Sequence, residues 1–110
     1  MTIVDVSTEN TYVVINPGRA QADGKDKIRV TIFVLNSQGL GVPNREVIMG
    51  VNPSLVATNV QDTTDTAGEA IFEYNANAPG EYYLDIKIHD KNNQNADITL
   101  PQKAKLSFYE

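Results

Sequence analysis

The chain has no cysteine and no tryptophan, and a single histidine. Without cysteine there is no disulfide scaffold, no thiolate metal site and no cysteine nucleophile. One histidine, His89, excludes a site built from several imidazoles. Positive charge is also scarce: nine Lys and Arg against fourteen Asp and Glu leave a net charge of −5. An acidic surface with no basic patch, and no aromatics interleaved with Arg or Lys, argues against nucleic acid as a partner. No apolar run approaches the roughly 20 residues that a membrane-spanning helix needs, so direct membrane insertion is not expected. The opening Met1–Asn10 has neither a basic region nor an apolar stretch, so it does not read as a signal peptide. Any exporting segment would then lie outside this chain.

What is present points to β structure. Valine and isoleucine together number twenty. Branching at Cβ restricts χ1 and suits a pleated, half-buried surface better than a helix. The 110 residues amount to one domain, expected to span 1–110, long enough to bury a core without covalent staples.

Three segments alternate cleanly with period two, the mark of an antiparallel strand with one buried face. In Lys27–Leu35, Ile28, Val30, Ile32 and Val34 share a face. In Glu81–His89 the apolar face holds Tyr82, Leu84, Ile86 and Ile88, and in Lys103–Tyr109 it holds Ala104, Leu106 and Phe108. Weaker alternations give Thr11–Asn16, with Ile3–Val6 a possible preceding strand, then Glu46–Val51, Leu55–Val60 as an edge strand, and Glu69–Asn75. Seven strands separated by turn residues predict a Greek-key β-sandwich. The turns have mechanisms. Asn16-Pro17-Gly18 ends the first strand, because proline brings no ladder donor. Asp23-Gly24, Gly39 and Gly41 before Val42-Pro43, Asp65 through Gly68, and Pro79-Gly80 carry the residues that tight turns use. His89–Gln102 is long, polar and rich in Asn and Asp, and is predicted to be an exposed loop.

Chemistry-bearing residues do not assemble into a motif. His89 with Asp90 and Asp97 sketches a carboxylate–imidazole site, but reads better as polar residues at a strand end. Asp62, Asp65 and Glu69 lack the spacing of a calcium loop, and turn capping accounts for them. No serine sits in a nucleophile elbow, and no helix follows Gly39 and Gly41 to make a phosphate loop. An internal Lys–Asn isopeptide through Lys27 or Lys103 is disfavoured, because both alternate onto polar faces. Phe33, Leu35 and Tyr83 fall on outward faces, as sheet surface or as a contact with a neighbour. No catalytic residue, cofactor or metal is expected.

Three segments in order resemble the bacterial Ig-like domains found in tandem in invasin- and intimin-type surface adhesins. They are Ala22-Asp23-Gly24-Lys25 leading into the alternation to Val34; Asn36-Ser37-Gln38-Gly39-Leu40-Gly41-Val42-Pro43 leading to Val47 and Met49; and Thr64-Asp65-Thr66-Ala67-Gly68-Glu69-Ala70-Ile71-Phe72 followed by Pro79-Gly80-Glu81-Tyr82. The likeness covers about Thr11 to His89. Asn36 stands where the family usually has Asp, Gly41-Val42-Pro43 is a shifted form of its Pro-Val, and the polar stretch before the last strand lies outside its pattern.

The resemblance implies an immunoglobulin-like sandwich acting as a non-catalytic module of a bacterial surface protein, with neighbouring Ig-like domains and a protein receptor or glycan as partners. Its structural positions would be Asp23, Gly24, Gly39, Val42, Pro43, Asp65, Gly68, Ala70, Phe72, Gly80 and Tyr82. Tyr82 is expected to be largely buried, with its hydroxyl on nearby backbone. Two other readings use the same fold. One is a ligand-binding module that contacts its partner through His89, Asp90, Lys91, Asn92, Asn93, Asn95 and Asp97. The other is an accessory domain of an enzyme or of a phage virion protein.

Overall fold

The strongest alternation makes the central strand. The computed structural model describes residues 6–90 and 93–110, with backbone alone at 90 and 93–97. Among the described residues there are ten strands: β1 (Tyr12–Asn16), β2 (Arg19–Gln21), β3 (Ile28–Phe33), β4 (Arg45–Met49), β5 (Leu55–Gln61), β6 (Glu69–Ala76), β7 (Gly80–Leu84), β8 (Ile86–Asp90), β9 (Asn93–Thr99) and β10 (Ala104–Tyr109). In β3, Ile28, Val30 and Ile32 are fully buried while Arg29 is exposed. β6 repeats the pattern, with Ala70, Phe72, Tyr74 and Ala76 turned inward.

The strands form two layers. The first is a four-stranded antiparallel sheet in the order β1-β3-β6-β5. The second consists of two three-stranded sheets, β2-β10-β7 and β4-β8-β9, joined end to end by the chain itself. β7 runs into β8 with only Asp85 between them. At that seam Gly50 N–H donates to the Asp85 carbonyl (2.8 Å), and Leu100 N–H to the Ile86 carbonyl (2.9 Å). β2 pairs with β10 in parallel.

The core lies between the layers. Ile28, Val30, Ile32 and Tyr74 from the first sheet meet Ile86, Ile88, Leu106 and Phe108 from the second. Each such side chain taken out of water contributes about 1.5–3 kcal/mol, which offsets the entropy of ordering the chain.

The fold class is the one expected, an all-β sandwich with immunoglobulin-like layers, but the segments are cut differently. The expected continuous strand Glu81–His89 is two strands, because Asp85 is where the arm changes partner from β10 to β9 and β4. Its inward alternation survives the change: Leu84, Ile86 and Ile88 are all buried. The expected loop over His89–Gln102 is corrected. It holds β9, antiparallel to β8, with Lys87 opposite Thr99 and Ile88 opposite Ile98. Polar side chains on an outer strand leave no apolar period to read, so the pairing comes from the neighbour. β2 escaped the sequence reading because three residues with one buried position, Ala20, carry no pattern of their own. Merging β1 with β2, β7 with β8 and β9 with β10 leaves seven arms of chain. Ile3–Val6 falls mostly, and Lys91 and Asn92 entirely, outside the described residues.

Candidate functional site

The turns gather at two poles. At the first, β3 ends, β6 begins and the described chain enters. At the second, β3 begins, β6 ends and the chain leaves. The register shows this directly: Tyr12 of β1 lies opposite Phe33 at the end of β3, whereas Phe108 of β10 lies opposite Gly80 at the start of β7. Entry and exit are therefore at opposite ends of a body whose principal extents are 52 × 23 × 22 Å.

The first pole is held by side chains that cap backbone. Asn36 Oδ1 accepts from the N–H groups of Gln38 (2.9 Å) and Leu40 (3.0 Å), closing the turn in which Gly39 has a φ of 79°. An amide oxygen serves here as well as a carboxylate, so the departure at Asn36 costs the turn no acceptor. Asp65 Oδ1 accepts from Ala67 N–H (2.9 Å) and Glu69 N–H (3.1 Å). These bonds favour the charged form, and the Glu69 amide is the main reason the Asp65 carboxyl titrates below its ordinary value. The two turns interlock. Val34 N–H donates to the Gly68 carbonyl (2.7 Å), and Val42 N–H to the Val34 carbonyl (2.9 Å). A Cβ on Gly41 would lie 2.8 Å from Gly68 N, so two glycines let these backbones touch.

Two buried threonines at this pole escaped the sequence reading as functional positions. The Thr64 hydroxyl donates to the Val42 carbonyl (2.7 Å) and accepts from Arg45 N–H (2.9 Å). Thr11 Oγ1 accepts from Leu35 N–H (3.1 Å). Nothing in the local sequence marks a threonine whose partners are about 20 residues away.

At the second pole Asp23 Oδ1 accepts from Asp26 N–H (2.8 Å) and Lys25 N–H (2.9 Å). The same amides, Asp26 foremost, hold its carboxyl below the ordinary value. Gly24 takes a φ of 76° and is pinned to β6 by Asn75, whose side-chain N–H₂ reaches the Gly24 carbonyl (2.6 Å). Tyr82 donates its hydroxyl to the Ala78 carbonyl (2.5 Å) and meets Phe108 edge-on at 6.1 Å. The residue is partly buried and packs against the core, and its hydroxyl bonds nearby backbone as expected.

The remaining candidates do not converge. Val42, Ala70 and Phe72 are core residues, and Pro43 is half-buried between Val42 and β4. Asp62 accepts from Asn59 Nδ2 (3.0 Å), while Asp65 faces its own turn, so these two carboxylates serve separate tasks. Among the described residues no three His, Cys, Asp or Glu side chains gather as metal ligands would. His89 and Asp90 end β8, and Asn93, Asn95 and Asp97 lie in β9. Lys27 is exposed, and Lys103 forms a surface ion pair with Asp85 at 3.5 Å. Phe33 is half-buried because Tyr12 stacks on it at 4.8 Å, whereas Tyr83 is exposed.

The sequence that builds these capped turns matches a known family model. Residues 10–100 match the bacterial Ig-like domain (group 1). The chain belongs to that family. Solved structures similar to it include the D00–D0 domains of intimin, at 18% identity and a TM-score of 0.68, over 98% of this chain and 48% of that one. A second is the adhesin InvE of Yersinia pseudotuberculosis, at 20% identity and a TM-score of 0.66, over 94% and 27%. A third is the C-terminal 282-residue fragment of intimin in complex with the intimin-binding domain of the translocated intimin receptor, at 20% and 0.61, over 93% and 33%. This Ig-like chain thus spans less than half the length of each of these structures. No curated protein matches its sequence. Among the described residues, no helix is long and apolar enough to cross a membrane.

Proposed function

We propose that this Ig-like domain is a non-catalytic module of a bacterial surface adhesin, one bead of a rod that spaces or presents a binding tip or forms part of the adhesive surface. The observation that carries the reading is the course of the chain. It enters at one pole and leaves at the other of a body more than twice as long as it is wide. Beads linked pole to pole extend a rod, whereas termini at one pole would fold neighbours back. The capped turns at both poles support the same reading, since they stiffen the ends where neighbouring Ig-like domains would attach. Family membership and the adhesin folds it resembles agree with a place at the cell surface. On this reading residues 1–110 are one module, and Asp23, Gly24, Gly39, Asp65, Gly68, Gly80 and Tyr82 serve its architecture. The partners are adjacent Ig-like domains and, through the array, a protein receptor or glycan.

Sequencing the gene to either side of this segment tests the proposal. Further copies of the Asp-x-x-Gly-x-Ala-x-Phe turn of Asp65–Phe72, recurring about every 90–100 residues, are expected. A catalytic domain beside a lone copy would overturn it.

A further inference from the structure

The two layers do not end together at one side. β5 is the edge strand of the first layer and β4 the edge strand of the second. Ala57 lies opposite Tyr74 and Asn59 opposite Phe72, so both carry the inward parity of those buried rings. Yet Ala57 and Asn59 are exposed. The second layer stops at β4 and leaves the inner face of β5 uncovered. The gap is a cleft of about 300 Å³ between Met49 and Ala57, floored by Phe72 and Tyr74.

Away from the bridged end its rim is apolar, and its backbone is open. Beside it the chain Ile48–Val51 is flanked on its other side by a hollow of about 220 Å³, and Val51 is 94% exposed. Val47 N–H points away from β8, to the Asp62 carbonyl (2.7 Å), whereas Gly50 N–H points toward the β8 arm, to the Asp85 carbonyl (2.8 Å). Backbone direction alternates along a strand, so Met49 presents its N–H and C=O on the same open side as Val47. Such an edge is a template for one more strand. The opening is short. A bridge between Glu46 and Thr63 closes one end, and the connection from β4 to β5 closes the other, leaving about four residues, roughly 13 Å.

Charge selects the occupant. The charged side chains lining the cleft are Glu46 and Asp62, both acidic and both at the bridged end. A second copy of this chain carries −5 and the same acidic lip, so like charges would meet. A cationic segment meets complementary charge.

We propose that the open side between β4 and β5 is an acceptor site for a short extended segment of a partner protein. One large apolar side chain enters the cleft over Ala57, the backbone pairs with Met49, and a lysine or arginine two residues away lies at the acidic end beside Asp62 and Glu46. The proposal is independent of the adhesin reading, because it needs only this chain.

The test is a titration of the isotope-labelled 110-residue chain with capped hexapeptides, followed by its amide resonances. The probe is Lys-Thr-Phe-Thr-Val-Thr; its controls carry Glu in place of Lys, or Pro in place of Phe. The lysine peptide is expected to move amides of 47–51 and 57–59 with saturation, the glutamate peptide to bind about fivefold more weakly at low salt, and the proline peptide not at all. Ala57→Trp fills the cleft from an exposed position and should weaken binding about tenfold or more. Thr58→Trp, on the outward face of the same strand, should leave it within about twofold. Circular dichroism confirms that both variants fold. The proposal is overturned if the lysine peptide moves none of these amides, if Ala57→Trp binds as the parent does, or if the same amides shift with protein concentration alone, which would assign the edge to a second copy.

Discussion

Three glycines at the first pole separate two costs that are usually confounded. Gly39 has a φ of 79° and nothing within 4 Å of where a Cβ would stand. Gly39→Ala therefore meets the left-handed backbone penalty alone, about 1–2 kcal/mol. Gly41 has no such φ, but its Cβ would press on the Ala67 carbonyl and lie 2.8 Å from Gly68 N. Those are backbone atoms in an interlocked turn and cannot swing aside, so Gly41→Ala should cost about 1–3 kcal/mol by overpacking. Gly68 carries both burdens: a φ of 79°, and a Cβ that would crowd the Val34 carbonyl and lie 2.9 Å from Gly41 Cα. Gly68→Ala should therefore cost about 2–5 kcal/mol, a large share of the roughly 5–15 kcal/mol that holds a domain folded. Urea denaturation followed by circular dichroism measures all three at equilibrium. Because Gly41 and Gly68 touch, the double variant should lose less than the sum of the singles. The reasoning is refuted if Gly41→Ala is as stable as the parent, or if Gly39→Ala costs as much as Gly68→Ala.

Three other outcomes follow from the same geometry. Thr64→Val keeps the shape but leaves Arg45 N–H and the Val42 carbonyl without the hydroxyl, and should cost about 1–3 kcal/mol in thermal or urea unfolding, while Thr64→Ser retains most of the stability. Tyr82→Phe removes the bond to the Ala78 carbonyl and should cost about 0.5–1.5 kcal/mol; an unchanged unfolding midpoint would show the bond to be idle. The Asp65 and Asp23 carboxyls titrate lower in the folded chain than in the unfolded one, so their contribution is present above about pH 4 and is lost as pH falls through the folded values. Asp65→Asn should therefore flatten the acid limb of the stability–pH profile, and a profile parallel to the parent's below pH 4 would count against the capping role.

The turns were legible because their chemistry is local. Asp65 bonds amides two and four residues on, and Asp23 amides two and three on, distances that a short motif records. The core faces of β3, β6 and β10 were legible for a related reason: burial on one side imposes period two whatever the partner is. β9 and β2 were not, since their pairing is supplied by β8 and β10 and leaves little trace in their own residues. Thr11 and Thr64 stayed silent for the same reason; each acts on backbone about 20 residues away.

By itself, then, the sequence determined the fold class, the position of most strands and the turn residues, and it excluded cysteine and multi-histidine chemistry outright. Tertiary structure alone decided where the long arms change partner, at Asp85 and near Leu100, and that the chain enters and leaves at opposite poles. It also decided that Ala57 and Asn59, inward by parity, stay exposed. Parity states which way a side chain points; only the extent of the opposing layer states whether anything is there to cover it.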